Sequence, residues 1–553
     1  MIRLMVVVVF LVTAKGIQQP RLVYPRLLEE RSPDGRMVLH LHDDLTLNLR
    51  KASVAASEFR VLEQEDGRQV MHFFNGEELD RHLHEDEKQF ASVHLTQKDT
   101  GVEVEGIVGP YHRIQPMPEM ERSEDGLVPH MIHEIEKKEM HDTEMEPRGL
   151  DTWSIKERSG GTANVPEEVT VELFIVTDRW HHKHFAKTSQ LILYLCIIVN
   201  SVNLRYTETS APRVKFSLVG VEKDEHSSYK TDRDHYLESS TTLDAFQIYA
   251  NGKKHEYGEP DIVYLMTGGE VYSEGPNKTK NTNTLGIGFV GTVCTTHFVA
   301  LGQDAAGMYS GMHTLAHEAG HVLGASHDQS PPKPWIPNDP GSLSCLWKEG
   351  FMMSYVDGGT KHHRFSNCSL KQIRNVVVMA GLSCWTVKKT GYSYKGQYAG
   401  MVVKANDYCQ KTVFPNEKNV TADMNSPKMK ECKIRCQYPK PRQQCYSYGY
   451  CQKYTSIFYV YENALDYMSC GQNMVCVRGE CILKQKVLTE APESDLSTPD
   501  TESPTPEVTS AAGTTDQCLC DCSSTTANTR YRTTITYPPR PKVIRYNPKG
   551  NKP

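Results

Sequence analysis

From Val169 to Thr177 the chain reads V-T-V-E-L-F-I-V-T, apolar and β-branched at nearly every position. A run with so little alternation has both faces covered, so the pattern predicts a strand at the centre of a sheet. A longer apolar run follows at about Thr188 to Leu204. Its hydrophobic positions go almost all the way round a helical period, which predicts a helix buried on several sides. Val214–Val221 and Ile262–Met266 predict further strands, with a helix at Leu243–Ala250 between them. Strands alternating with helices imply an α/β sheet. Leu285–Cys294 carries Gly286, Gly288 and Gly291 and reads as an irregular edge strand to which a peptide backbone can add. Its G-x-G opens no phosphate-binding helix, which excludes a nucleotide site.

The earlier chain has a different rhythm. Met37–Leu41, Leu45–Leu49, Gln69–Phe74 and Gly101–Val108 are strand-like, and Leu45-Thr-Leu-Asn-Leu-Arg50 alternates as a half-buried strand does. Asp80–Glu87 is crowded with charge, repeats no ligand spacing, and reads as a solvated loop. From Met117 to Gly149 acidic residues, Met, Pro and His occur without period, the pattern of a linker, and Ser159-Gly160-Gly161 is a flexible break. Downstream, residues 388–486 hold Cys409, Cys432, Cys436, Cys445, Cys451, Cys470, Cys476 and Cys481. That even number permits four internal bridges, whose pairing the sequence does not assign. Missing C-x-x-C pairs and histidines exclude a zinc ribbon there. Residues 487–553 are first rich in Ser, Thr, Pro and acid, then basic, with Cys518, Cys520 and Cys522 between, and read as a disordered tail.

Composition changes this picture little. With 553 residues, 38% of them hydrophobic, several globular domains are expected. A net charge of -6 argues against a nucleic-acid partner. Met1 to Gly16 have the form of a signal peptide: Arg3, an apolar run from Leu4 to Val12, then small residues at Ala14 and Gly16. Leu191–Val199 is too short to span a bilayer, so no membrane span is expected. All 16 cysteines lie from Cys196 onward, as a disulfide framework in an oxidising compartment would. Sequons at Asn277, Asn367 and Asn419 agree with a secreted, extracellular protein. Cys196, inside the apolar helix, reads as a buried free thiol.

The chemistry is concentrated in His317-Glu318-Ala319-Gly320-His321-Val322-Leu323-Gly324-Ala325-Ser326-His327-Asp328. A helix beginning near Tyr309 and running to Leu323 sets His317 and His321 on one face, able to hold one metal ion. Gly324 lets the chain turn with positive φ and bring back His327. Three nitrogen ligands leave a fourth position open, the arrangement of one catalytic Zn2+ rather than a structural one. Glu318, between the first two histidines, is the candidate general base. Ser330–Pro337 is loop because its prolines forbid helix. Gly350-Phe-Met-Met-Ser-Tyr355 follows, then a closing helix including Ile373–Ala380, and Cys384 ends the domain.

H-E-x-x-H-x-x-G-x-x-H followed by Met353-Ser354-Tyr355 resembles the metzincin pattern. Asp328, the stretch Leu285–Cys294 and Phe365-Ser-Asn-Cys-Ser369 make it similar to the reprolysin (adamalysin) branch, most of all to salivary reprolysin-type metalloproteases of ticks. The resemblance implies a signal peptide (1–16), a propeptide (17–164), a metalloprotease domain (165–387) with a twisted mixed sheet and active-site helix, a Cys-rich region (388–486) and a tail (487–553). It implies Met353 as a methionine floor beneath the histidines, and the pairs Cys294–Cys384 and Cys345–Cys368. Three departures stand out. No cysteine precedes Cys196 to silence the metal; no basic run marks the activation site near 148–165, so the activating protease is not identified; and the family's Ca2+ site is incomplete, because Glu172 and Asp261 match but no Asn follows Cys384.

The expected activity is zinc-assisted hydrolysis of peptide bonds in extracellular proteins, matrix or clotting proteins by resemblance, by an enzyme made as a zymogen. Glu318 takes a proton from the attacking water and returns it to the leaving amine. Asp328 is expected to stiffen the turn that carries His327. Tyr355 has two readings, a wall of the substrate pocket or a donor to the tetrahedral intermediate. The alternative function is a secreted binding protein acting through its Cys-rich region, with the protease domain as scaffold. Retention of Glu318 and all three histidines favours catalysis.

Overall fold

The computed structural model describes residues 20–29, 36–98, 101–138, 140–149, 166–230, 234–275, 278–387, 397–445 and 451–484. The signal-like segment, the Ser159–Gly161 break, Asn277, and the tail with its three cysteines lie outside them.

The strand Glu168–Asp178 is buried from Val171 to Asp178 and lies at the middle of a nine-stranded sheet. Parallel neighbours are Arg213–Asp224 on one side and Ile262–Thr267 on the other, followed by Val299–Gln303 and the antiparallel strand Gly286–Phe289. The helix Thr188–Arg205 crosses one face of this sheet and also packs beneath a second sheet formed by the N-terminal region. Ser92 of that second sheet donates to Ile197 O (3.0 Å), and Asn200 donates to Ser92 Oγ (3.2 Å). Cover on both sides explains why the helix is apolar nearly all round. Cys196 is buried within it and free.

The N-terminal region does more than precede the central sheet. Its second sheet is nine-stranded and packs around Leu39, Leu47, Leu49, Val93 and Val104. Two more of its strands, Ala55–Glu65 and Arg68–Asn75, extend the central sheet at the Arg213–Asp224 edge. A short strand, Glu144–Met145, pairs in parallel with Gly286–Phe289 at the opposite edge.

Asp80–Glu87 is not a solvated loop: it forms a turn of 3-10 helix and the strand Leu83–Asp86. Asp80 and Asp86 face inward because they cap backbone donors. Asp80 accepts from Val54 N, Ala55 N and Ser53 Oγ at 2.8–3.0 Å, and Asp86 from Asn48 N at 2.7 Å. Nor is Met117–Gly149 a plain linker, since it supplies the sheet strand His130–Glu134 as well as Glu144–Met145.

The cysteine-rich region closes four bridges: Cys409–Cys436, Cys432–Cys476, Cys445–Cys451 and Cys470–Cys481. Cross-links of this kind contribute about 2–4 kcal/mol each, which suits a small core centred on Cys432, Ile434 and Met429. A strand from this region, Gln397–Tyr398, adds to Arg68–Asn75. No helix among the described residues is long and apolar enough to cross a membrane.

Candidate metal centre

The helix Met312–Val322 lies against the strands Gly286–Phe289 and Val299–Gln303. Asp304 fixes its start, accepting from Gly311 N (2.7 Å), His181 Nε2 (2.8 Å) and Tyr194 OH (2.8 Å). Burial alone would raise the Asp304 pKa, but these partners outweigh it and hold the carboxyl below its ordinary value. A carboxylate at this end also complements the helix dipole. The helix ends at Gly324, whose φ is +105° and where a Cβ would stand 2.3 Å from Val376 Cγ2. That turn returns His327 to the face shared by His317 and His321.

The histidine nitrogens have defined roles. His317 Nδ1 is 2.7 Å from Met352 O and His321 Nδ1 is 2.7 Å from Ala325 O. A carbonyl can only accept, so in each ring the proton sits on Nδ1 and the Nε2 lone pair faces the centre. The two Nε2 atoms are 3.1 Å apart. The carboxylate of Asp142 joins them: Oδ2 is 2.9 Å from His321 Nε2 and 3.5 Å from His317 Nε2, and Oδ1 is 2.8 Å from His327 Nε2. Ligand atoms of these four residues all lie within 4.8 Å of one another. A carboxylate among inward-facing imidazole lone pairs is a donor set that a cation completes, and three imidazoles with one oxygen suit tetrahedral zinc.

Glu318 is fully buried, and neither carboxylate oxygen has a hydrogen-bond partner. Room for it comes from Gly286, where a Cβ would stand 2.5 Å from Glu318 Oε1. Burial, and then the neighbouring Asp142 carboxylate, push the Glu318 pKa well above its ordinary value.

Met353 is fully buried, its sulfur 3.3 Å from where a Cβ on Gly320 would stand, beneath the helix. Met352 is equally buried but contributes through its carbonyl. Asp328 ties the two segments together: its N–H donates to Met353 O (2.9 Å), and its Oδ1 accepts from Ser366 Oγ (2.6 Å). Burial pushes its pKa up to about 6. The Tyr355 ring lines a cavity of about 220 Å³ with Met140, His313 and His363, while its hydroxyl lies 2.6 Å from Asp142 Oδ1.

The remaining sequence candidates are placed as follows. Cys294 is bonded to Cys384 and Cys345 to Cys368. Asn367 and Asn419 are exposed. Glu172 and Asp261 are buried together, with Glu172 N–H donating to Asp261 Oδ2 (2.9 Å). Sequence reasoning missed Asp142, Glu144 and its partner Lys333, and the cavity histidines. The available signal for Asp142 was indirect: an upstream region with no cysteine but rich in carboxylates.

Residues 167–366 match the reprolysin-type model of metallo-peptidase family M12. A venom metalloproteinase of Olivierus martensii is 27% identical over 370 residues, covering 64% of this chain and 89% of that protein. The venom metalloproteinase antarease of Tityus serrulatus is 26% identical over 321 residues, 56% of this chain and 80% of the relative. A Bombyx mori protein described as like a disintegrin and metalloproteinase with thrombospondin motifs is 25% identical over 368 residues, 62% of this chain and 49% of its own length.

Proposed function

We propose that this chain, a reprolysin-like metalloendopeptidase by its match to family M12, is zinc-dependent, secreted and made as a zymogen, and cleaves extracellular proteins such as gelatin, fibrinogen or fibrin. The observation that carries this reading is the convergence of His317, His321 and His327 beside the unpartnered, buried carboxylate of Glu318.

The three histidines would hold one zinc. Bound there, zinc supplies a Lewis acid that polarises the scissile carbonyl and makes water a competent nucleophile near neutral pH. Glu318 accepts the proton of the attacking water on a carboxylate oxygen and passes it to the leaving nitrogen, turning a poor leaving group into an amine. Substrate backbone pairs with the strand Gly286–Phe289 once Glu144–Met145 has left it. Met353 and Asp328 keep the His327 turn in register with the helix. Tyr355, freed from Asp142, donates a hydrogen bond to the tetrahedral oxyanion.

Hydrolysis of gelatin, casein and fibrinogen by the processed chain tests the reading. Activity is expected to vanish with a chelator and to fall by about 10²–10⁴ in Glu318→Ala. Equal activity with chelator and in the variant would contradict it. In the same assay an unchanged kcat/KM for Tyr355→Phe would remove the role given to that hydroxyl.

A second reading has one observation in its favour. The cysteine-rich ribbon Lys433–Cys445 with Cys451–Asn463 exposes Ile457, Phe458, Tyr459, Val460 and Tyr461 in succession. Ile457, Tyr459 and Tyr461 share one face of this strand, and clustered exposed apolar residues mark an interaction site. It fits a surface that steers substrate, compatible with catalysis elsewhere in the chain.

A further inference from the structure

The geometry points to Asp142 as the group that keeps this enzyme shut: its carboxylate takes the fourth position of the metal centre until the chain is cut downstream. This rests on the zinc-site reading above.

Three independent features converge on it. The first is its place: Asp142 comes from the N-terminal region, its side chain is fully buried, and its two oxygens reach all three histidines. A carboxylate there occupies the position that a catalytic site leaves open for water.

The second is the way the flanking backbone is held. On one side, His141 N donates to Asn283 O (3.1 Å), Leu285 N to His141 O (3.0 Å) and Val290 N to Met145 O (3.1 Å). On the other, the Tyr355 hydroxyl accepts from Asp142 N (3.1 Å), and its ring meets His141 edge-on, with centroids 4.9 Å apart. Beyond Asp142, Glu144 Oε1 accepts from the backbone N–H of His327 itself (2.6 Å), and Lys333 pairs with Oε2. The segment is therefore fixed to the edge strand, to the chain after Met353 and to the turn of the third histidine at once.

The third is what the segment presents. Asp142 O is engaged with Tyr355 OH (2.9 Å), and the atoms among the histidines are side-chain oxygens. A substrate must offer a peptide carbonyl at that point; this segment offers a carboxylate, which Glu318 cannot help to hydrolyse. The cleft is filled by chain from the same molecule that is not a substrate. The absence of any cysteine before Cys196 then needs no other latency device. Release exchanges the Asp142 oxygen for water and requires a cut after Met145, so that the flanking contacts can dissociate.

The test uses the full chain in a Glu318→Gln background, which prevents self-processing, loaded with cobalt(II) in place of zinc. Asp142, Asp142→Asn and Asp142→Cys chains are compared in two readouts: the visible spectrum of the bound cobalt, and calorimetric binding of a peptide hydroxamate. If the closed cleft opens about 1% of the time, apparent affinity is weakened about 100-fold, and Asp142→Asn is expected to recover that factor. Asp142→Cys is expected to exclude the hydroxamate again and to add a thiolate-to-cobalt absorption band, because thiolate is also a good ligand. Cobalt binding with equal hydroxamate affinity and one spectrum for Asp142 and Asp142→Asn would overturn the inference while leaving the metal site intact. No cobalt binding in any of the chains would overturn the metal-site reading and the inference with it.

Discussion

Gly286 shows how much of the site depends on single atoms. It gives up a side chain so that Glu318 can lie against the edge strand: a Cβ there would meet Glu318 Oε1 at 2.5 Å, Thr314 Cγ2 at 2.7 Å and Glu318 Cγ at 2.9 Å. Its φ is not in the left-handed region, so alanine suits the backbone and the effect falls on the carboxylate. Gly286→Ala is expected to keep its zinc content while kcat/KM falls about 10²-fold, the usual effect of displacing a catalytic group by about 1 Å. Steady-state kinetics beside metal analysis checks this; unchanged kcat/KM would contradict the role given to Gly286. The histidines and Glu318 were legible because their relation is local, one helical turn and one glycine turn. Asp142 was not: nothing in His141-Asp142-Thr143 distinguishes it from neighbouring acids, and only long-range strand pairing delivers it to the metal centre.

Among the elements, the strands and helices of the central sheet were readable wherever apolar residues ran without interruption. The helix Thr188–Arg205 and the strand Glu168–Asp178 follow that pattern. Strands rich in charge were misread, because Asp80 and Asp86 accept from backbone N–H groups far away in sequence. The ribbon Ala55–Asn75 brings another buried charge cluster to the sheet edge. Glu63 contacts His72 (3.2 Å) and Lys223 (2.7 Å), while Asp466 of the cysteine-rich region accepts from Phe73 N (2.5 Å) and Arg478 N (2.7 Å). Burial pushes Asp466 up to about 6. For His72, burial acts downward, but Glu63, Asp466 and Glu65 outweigh it and raise the pKa. Both groups bind protons more tightly when folded, so their stabilisation is full at low pH and fades as pH rises, through about 6 for Asp466 and above the ordinary histidine value for His72. Glu63 acts in the opposite sense: burial would raise its pKa, but His72 and Lys223 hold it far below the usual range, so its contribution is full above the ordinary glutamate value and is lost progressively as pH falls below it. Amide exchange in Arg68–Asn75, corrected for intrinsic rates, is therefore expected to show less protection at about pH 8 than at about pH 5.5. Flat or rising protection would contradict the cluster's role.

At the scale of the molecule, the N-terminal region holds both edges of the sheet that carries the metal centre, with Ala55–Asn75 at one edge and Glu144–Met145 at the other. The cysteine-rich region docks onto the first of these edges. Removing the second would leave Gly286–Phe289 as a free edge strand, while the sheet's central strands remain covered by Thr188–Arg205 and Met312–Val322. On the proposed reading, latency and catalysis share one groove, and the chemistry would reduce to a single zinc ion held by three histidines beside one carboxylate. Zinc titration into the metal-free, processed chain, followed by gelatin hydrolysis, tests this most directly. The account predicts activity rising in proportion to zinc, breaking at one equivalent per chain, and absent throughout in Glu318→Gln. Hydrolysis without zinc, or an equal rise in the variant, would contradict it.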